Sequence, residues 1–120
     1  MNARLEWLDQ RRRGIGGSDC AVVLGISRWK TPFQLYLEKR GEISDDQPEN
    51  EAMLWGNVLE PVIRQQYSNR TGRAVKADLG IITSPVYPFM LANLDGLTED
   101  SRVLEIKTAR AATGWGEEGS

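Results

Sequence analysis

The sequence contains no histidine, and Cys20 is its only cysteine. The first absence excludes His-dependent catalytic triads and any metal held on imidazole. The second excludes an internal disulfide, a cysteine-based zinc finger and a four-cysteine iron–sulfur centre. A metal ion on this chain therefore has to be held by oxygen. No apolar stretch approaches the ~20 residues that span a bilayer. Met1-Asn2-Ala3-Arg4-Leu5-Glu6-Trp7 lacks the apolar run of a signal peptide. The expected location is a reducing cytoplasm.

What is present describes a globular chain. Its 120 residues suit one domain, or part of one. Four Trp residues, at 7, 29, 55 and 115, are many for this length. The net charge of -2 gives no bulk attraction to nucleic acid, but the charges are unevenly spread. Residues 1–40 carry eight Lys/Arg against four Asp/Glu, and residues 41–60 carry six acids and no base. A basic N-terminal segment can meet a phosphate backbone, although the same charges also suit solvated helix faces.

Leu5, Trp7 and Leu8 open a short helix that runs into Arg11-Arg12-Arg13 and breaks at Gly14, Gly16 and Gly17. Ser18-Asp19 can cap a second helix over Cys20 to Leu24, which Gly25 ends. Thr31-Pro32 starts a third that stops at Gly41. Residues 42–50 read as an acidic loop. A longer helix spans about Glu51 to Arg70, with Trp55, Val58, Leu59, Val62, Ile63 and Tyr67 at helical spacing. Pro61 should kink it or mark a new start. Three strands are then expected, Ala74 to Thr83, Phe89 to Leu94 and Arg102 to Thr108, with turns at Ser84-Pro85 and Thr98 to Ser101.

The densest chemical signal is Asp95, nine intervening residues, and then Glu105-Ile106-Lys107. Alternate residues of a strand share a face, so Glu105 and Lys107 point one way and Leu104 and Ile106 the other. A hairpin turning near Gly96 brings Asp95 beside them. Two carboxylates and a lysine on one wall can hold a hard divalent cation and place a water against a phosphodiester. Solvated charges on an outer face account for the same spacing. The apolar flanks Leu91, Leu94, Val103, Leu104 and Ile106 argue instead for central strands. Asp95 also precedes Gly96, where a ligand can approach closely.

Glu60 is a third carboxylate, on the margin of the long helix's apolar face. An acid there needs a partner, either a metal or an arginine. Gly14-Ile15-Gly16-Gly17-Ser18-Asp19 opens a helix. Its N–H groups and the Ser18 hydroxyl can bind an anion, and Arg11 can reach the same phosphate in a bidentate fork. Simple capping by Ser18 or Asp19 explains the turn equally. It lacks the Gly-Lys-Ser/Thr ending of a nucleoside triphosphate loop. Trp55 reads as core, Trp29 as packing or a DNA contact between Arg28 and Lys30, and Cys20 as a small buried helix residue.

In order, Arg11-Arg12-Arg13-Gly14-Ile15-Gly16-Gly17-Ser18-Asp19, Trp55-Gly56-Asn57-Val58-Leu59-Glu60-Pro61, Asn93-Leu94-Asp95-Gly96 and Leu104-Glu105-Ile106-Lys107-Thr108 resemble the YqaJ-type viral recombinase family. This is the phage exonuclease group that includes the lambda exonuclease, within the PD-(D/E)XK nuclease fold. The resemblance covers nearly the whole chain. It implies an α+β, restriction-endonuclease-like fold with N-terminal helices on a short mixed sheet. It implies Mg²⁺, with Mn²⁺ as the other option, held by Asp95, Glu105 and the Ile106 carbonyl. Glu60 would complete the cluster directly or through water, and Lys107 would orient or deprotonate the attacking water. Arg11 and Ser18 match positions that bind a terminal 5′-phosphate.

The implied activity is degradation of one strand of linear double-stranded DNA from its 5′ end, for recombination by single-strand annealing. A phage or prophage in a bacterial host would encode it. A single-strand annealing protein is the implied partner, and a trimer the implied assembly. An endonuclease of the same fold, or an inactive fragment that binds DNA ends, are the alternatives. The family carries a further helix and strand after the lysine strand. The tail through Trp115-Gly116-Glu117-Glu118 resembles the loop that precedes that helix, so residues 1–120 are expected to form the N-terminal and central part of one nuclease domain.

Overall fold

The computed structural model describes residues 3–45 and 48–109, so the tail containing Trp115 lies outside the described residues. Four helices come first: α1 (Ala3–Arg11), α2 (Cys20–Val23), α3 (Pro32–Lys39) and α4 (Glu51–Thr71). A single 3₁₀ turn over Gly17–Asp19 precedes α2. Five short strands follow: β1 (Val75–Lys76), β2 (Ile81–Thr83), β3 (Leu91–Asn93), β4 (Gly96–Thr98) and β5 (Val103–Leu104). Among the described residues no helix is long and apolar enough to cross a membrane.

The helix ends follow the expected signals. Thr31 Oγ1 accepts from Gln34 N at 3.1 Å, and the Gln34 amide oxygen accepts from Thr31 N at 2.8 Å, closing a capping box ahead of Pro32. Asn50 caps α4 through Met53 N at 2.9 Å, and Gly72 at φ 74° ends it. Pro61 does not divide α4, which runs unbroken from Glu51 to Thr71. A helix of 21 residues retains enough other backbone bonds to carry one missing donor.

The strand region differs more from expectation. The strand expected over 74–83 is two strands, because Asp78 at φ 55° and Gly80 at φ 69° turn the chain between them. Gly96–Thr98, expected as a turn approach, is the central strand of the order β1-β4-β5. β2 and β3 form a separate antiparallel pair. The last strand ends at Leu104, so Glu105 to Lys107, expected within a central strand, lie beyond the end of an edge strand. Val103 is 62% exposed, which agrees with an edge position. The strand pairs are antiparallel, and the single parallel pairing among the described residues is an isolated bridge between Ile15 and Met90.

Among the described residues, Leu8, Val22 and Leu35, one from each of the first three helices, are the buried large apolar residues. No residue of α4 is buried, and Trp55, expected in the core, is half exposed and donates its Nε1 to Glu51. Cys20, expected to be buried, is exposed.

The isolated bridge fixes the glycine-rich turn against β3. Ile15 N donates to the Phe89 carbonyl at 2.7 Å, and Leu91 N donates to the Ile15 carbonyl at 2.9 Å. So close an approach needs a residue without a side chain next door. A Cβ on Gly14 would stand 2.5 Å from the Phe89 carbonyl oxygen and 2.7 Å from Leu91 Cγ. Gly14→Ala is therefore expected to destabilise the fold by about 1–3 kcal/mol. Gly17→Ala, whose Cβ meets nothing within 4 Å, is expected to stay within about 0.5 kcal/mol. Paired thermal or urea denaturation curves check this, and equal losses in both variants would contradict it.

Candidate active site

Asp95 stands where the chain leaves β3 and enters β4. In the β4–β5 pair Gly96 faces Leu104, and extending that register by one residue sets Asp95 opposite Glu105. Directly opposed residues of an antiparallel pair share a face. The ladder itself ends here because the Asp95 side chain takes over: its Oδ2 accepts from Ile106 N at 2.8 Å. The Asp95 carbonyl accepts from Arg64 Nε at 2.9 Å, which ties this corner to α4.

The same arginine answers the question of Glu60's partner. Arg64 Nη2 donates to Glu60 Oε1 at 2.7 Å, one helical turn away. Glu105 is paired with Lys107 at 2.8 Å, both side chains being more than half exposed. Glu60, Asp95 and Glu105 thus each have a different first partner. Among the described residues no three acids come together as a ready-made metal cage. The donors nevertheless suit a small hard cation. Asp95, Glu105 and the Ile106 carbonyl are adjacent oxygen donors, and Mg²⁺ is commonly held by one or two carboxylates while it keeps several waters.

An open cleft of about 770 Å³ joins two groups that lie far apart in sequence. Arg11 and Ser18 line it from the N-terminal side, and Glu105 and Lys107 from the end of β5. The Arg11 guanidinium lies 4.7 Å from the Trp7 ring centroid, a cation–π arrangement, and has no carboxylate partner among the described residues. A smaller cleft of about 270 Å³ is lined by Glu60, Ile106 and Lys107 among others. Lys107 borders both.

Neither Ser18 nor Asp19 caps α2 with its side chain. Asp19 Oδ2 turns back to accept from Gly16 N at 2.9 Å and pairs with Lys39 Nζ at 3.0 Å. Lys39 was not singled out by sequence reasoning, since nothing local links it to a residue twenty positions earlier. Arg64 was findable, because four residues after Glu60 is the standard helical ion-pair spacing. Trp29 is 82% exposed, with Arg28 stacked 4.5 Å above its ring, so it does not pack in the core.

The Lys107 ammonium is held above the ordinary lysine pKa, first by its hydrogen bond to Glu105, then by the charges of Glu105 and Asp95, against slight desolvation. It is a cation at neutral pH and a poor proton acceptor. The pair's contribution to stability is present below the unfolded lysine pKa and is lost as pH rises through the raised folded value. Exposure keeps that contribution small. Glu105→Gln is expected to bring the Lys107 pKa down toward its ordinary value. An NMR titration of the lysine side-chain resonances checks this, and an unchanged midpoint would show that Glu105 does not hold the ammonium.

Comparison with known proteins gives a consistent set of likenesses. The YqaJ-like viral recombinase domain matches residues 6–119. The protein YqaJ of Bacillus subtilis (strain 168) is 40% identical over 110 residues, covering 91% of this chain and 34% of that protein. A crystal structure of an alkaline exonuclease (LHK-Exo) from Laribacter hongkongensis superposes with a TM-score of 0.72 at 29% identity, over 91% of this chain and 55% of that one. LHK-Exo in complex with dAMP gives a TM-score of 0.71 at 28% identity, over 88% and 54%. The chain spans about a third of the YqaJ protein and just over half of the exonuclease.

Proposed function

We propose that this chain, which belongs to the YqaJ-like viral recombinase domain family and has the restriction-endonuclease-like fold of its structural relatives, is the nuclease part of a phage-type DNA exonuclease. The substrate on this reading is linear double-stranded DNA, degraded along one strand from the 5′ end. The partner is a single-strand annealing protein that takes the exposed strand. The observation that carries the reading is the shared cleft. It sets Arg11 and Ser18, suited to a terminal phosphate, across from Glu105 and Lys107, suited to hydrolysis.

Asp95, Glu105 and the Ile106 carbonyl would hold Mg²⁺ or Mn²⁺, which when bound supplies Lewis-acid polarisation of the scissile phosphate. Arg11 offers a planar fork to two of the three free oxygens of a terminal phosphate, and its stacking on Trp7 limits the directions the fork can take. Ser18 adds a hydroxyl donor. Lys107, beside Glu105 at 2.8 Å, would stabilise negative charge on the phosphate and orient or deprotonate the attacking water. Glu60 borders the adjoining cleft with Lys107 and acts there through water, its carboxylate anchored by Arg64.

Asp95→Ala and Lys107→Ala are expected to lower hydrolysis of a linear duplex by at least ~10²-fold. Product release from a labelled 5′-phosphorylated duplex, beside circular dichroism spectra of each variant, checks this. Replacing the terminal 5′-phosphate by a hydroxyl is expected to slow digestion by roughly tenfold. Covalently closed circular DNA is expected to resist. Digestion of closed circles at the linear rate would overturn the exonuclease reading.

A further inference from the structure

Asp19 and Lys39 take no part in the chemistry above, yet both line the same cleft. Their side chains are only 8% and 17% exposed, and they meet at 3.0 Å. Each also holds backbone. Lys39 Nζ donates to the carbonyl oxygen of Arg11 at 2.7 Å. Asp19 Oδ2 accepts from Gly16 N at 2.9 Å, two residues before Ser18. One ammonium and one carboxylate oxygen thereby join the end of α1, the glycine-rich turn and the end of α3. The ammonium sits on a carbonyl at a helix C-terminus, where such oxygens lack intrahelical partners and positive charge is favoured.

We propose that the Asp19–Lys39 pair is a positioning latch that fixes the distance between Arg11 and Ser18 and so sets preference for a 5′-phosphorylated DNA end. It rests on the reading of Arg11 and Ser18 as the phosphate site. A bidentate fork and a hydroxyl can grip one phosphate only at a set separation, and small displacements forfeit the charge-assisted bonds. The latch acts on the backbone that carries both donors: on the Arg11 peptide itself, and on the turn that presents Ser18. Neither latch residue needs to touch DNA.

Equilibrium binding of the whole chain to blunt duplexes ending in 5′-phosphate or 5′-hydroxyl, with divalent cations chelated, tests it by fluorescence anisotropy. The unaltered chain is expected to favour the phosphorylated end by about tenfold. Lys39→Met is expected to bring that ratio close to one, whatever its effect on overall affinity, and Lys39→Arg to restore part of it. Asp19→Asn keeps an acceptor for Gly16 N but loses the charge, and is expected to lower the ratio as well. A Lys39→Met chain that discriminates as well as the unaltered one overturns the latch. So does an Asp19→Asn chain that discriminates better, since freeing Lys39 would then have released a direct phosphate ligand. Equal binding of both ends by the unaltered chain overturns the phosphate-site reading beneath it. If Lys39→Met fails to melt cooperatively, the Asp19→Asn ratio decides alone.

Discussion

Two backbone hydrogen bonds through Ile15 decide whether a site exists in this chain. They bind the glycine-rich turn to β3 in parallel register, and nothing else in the described sheets pairs that way. Together with the packing of α1 on β2, they join the basic N-terminal helices to the strands. With them, a segment near residue 15 and one near residue 105 become opposite walls of one cleft. The cost is a position that tolerates no side chain, Gly14. A short, uncompromising contact of this kind specifies geometry more sharply than the small apolar core formed by Leu8, Val22 and Leu35.

Around that contact the charges are arranged in ion pairs. Glu60 is held by Arg64, Glu105 by Lys107 and Asp19 by Lys39. The pairs differ in what surrounds them. Asp19 and Lys39 are largely enclosed and join three segments, whereas Glu105 and Lys107 are solvated and open to exchange of partners. Arg11 stands apart, stacked on Trp7 and facing the cleft without a carboxylate partner among the described residues. A guanidinium so placed on the cleft wall suits an anionic ligand, because binding it breaks no ion pair seen among the described residues.

Much of this was legible in the sequence because it rests on local rules. Thr31-Pro32 and the glycines at 25 and 41 mark helix ends through backbone chemistry that needs no tertiary context. The grouping of Asp95 with Glu105 follows from strand alternation and one turn. Tertiary features were not legible. Asp78 and Gly80 split an apparently continuous strand through positive φ, which apolar patterning does not report. The apolar stripe of α4 predicts a buried face, yet Trp55, Val58 and Val62 are exposed, since periodicity states what a helix can bury and not whether another element covers it. Asp19 was legible as a cap, since its carboxylate accepts from Gly16 N at the start of the 3₁₀ turn, but its pairing with Lys39 is set by the fold.

The central claim is the proposal that the cleft shared by the glycine-rich turn, Glu105 and Lys107 takes a divalent cation at its Glu105 end. Titration of the uniformly ¹⁵N-labelled protein with Mn²⁺ tests it most directly, since the ion's paramagnetism broadens amide resonances according to their distance from it. The account predicts that the amides of Glu105, Ile106 and Lys107 broaden first and that those of Gly16, Gly17 and Ser18 follow at the same midpoint. Broadening confined to the acidic 42–50 loop, or spread evenly over the surface, would contradict it.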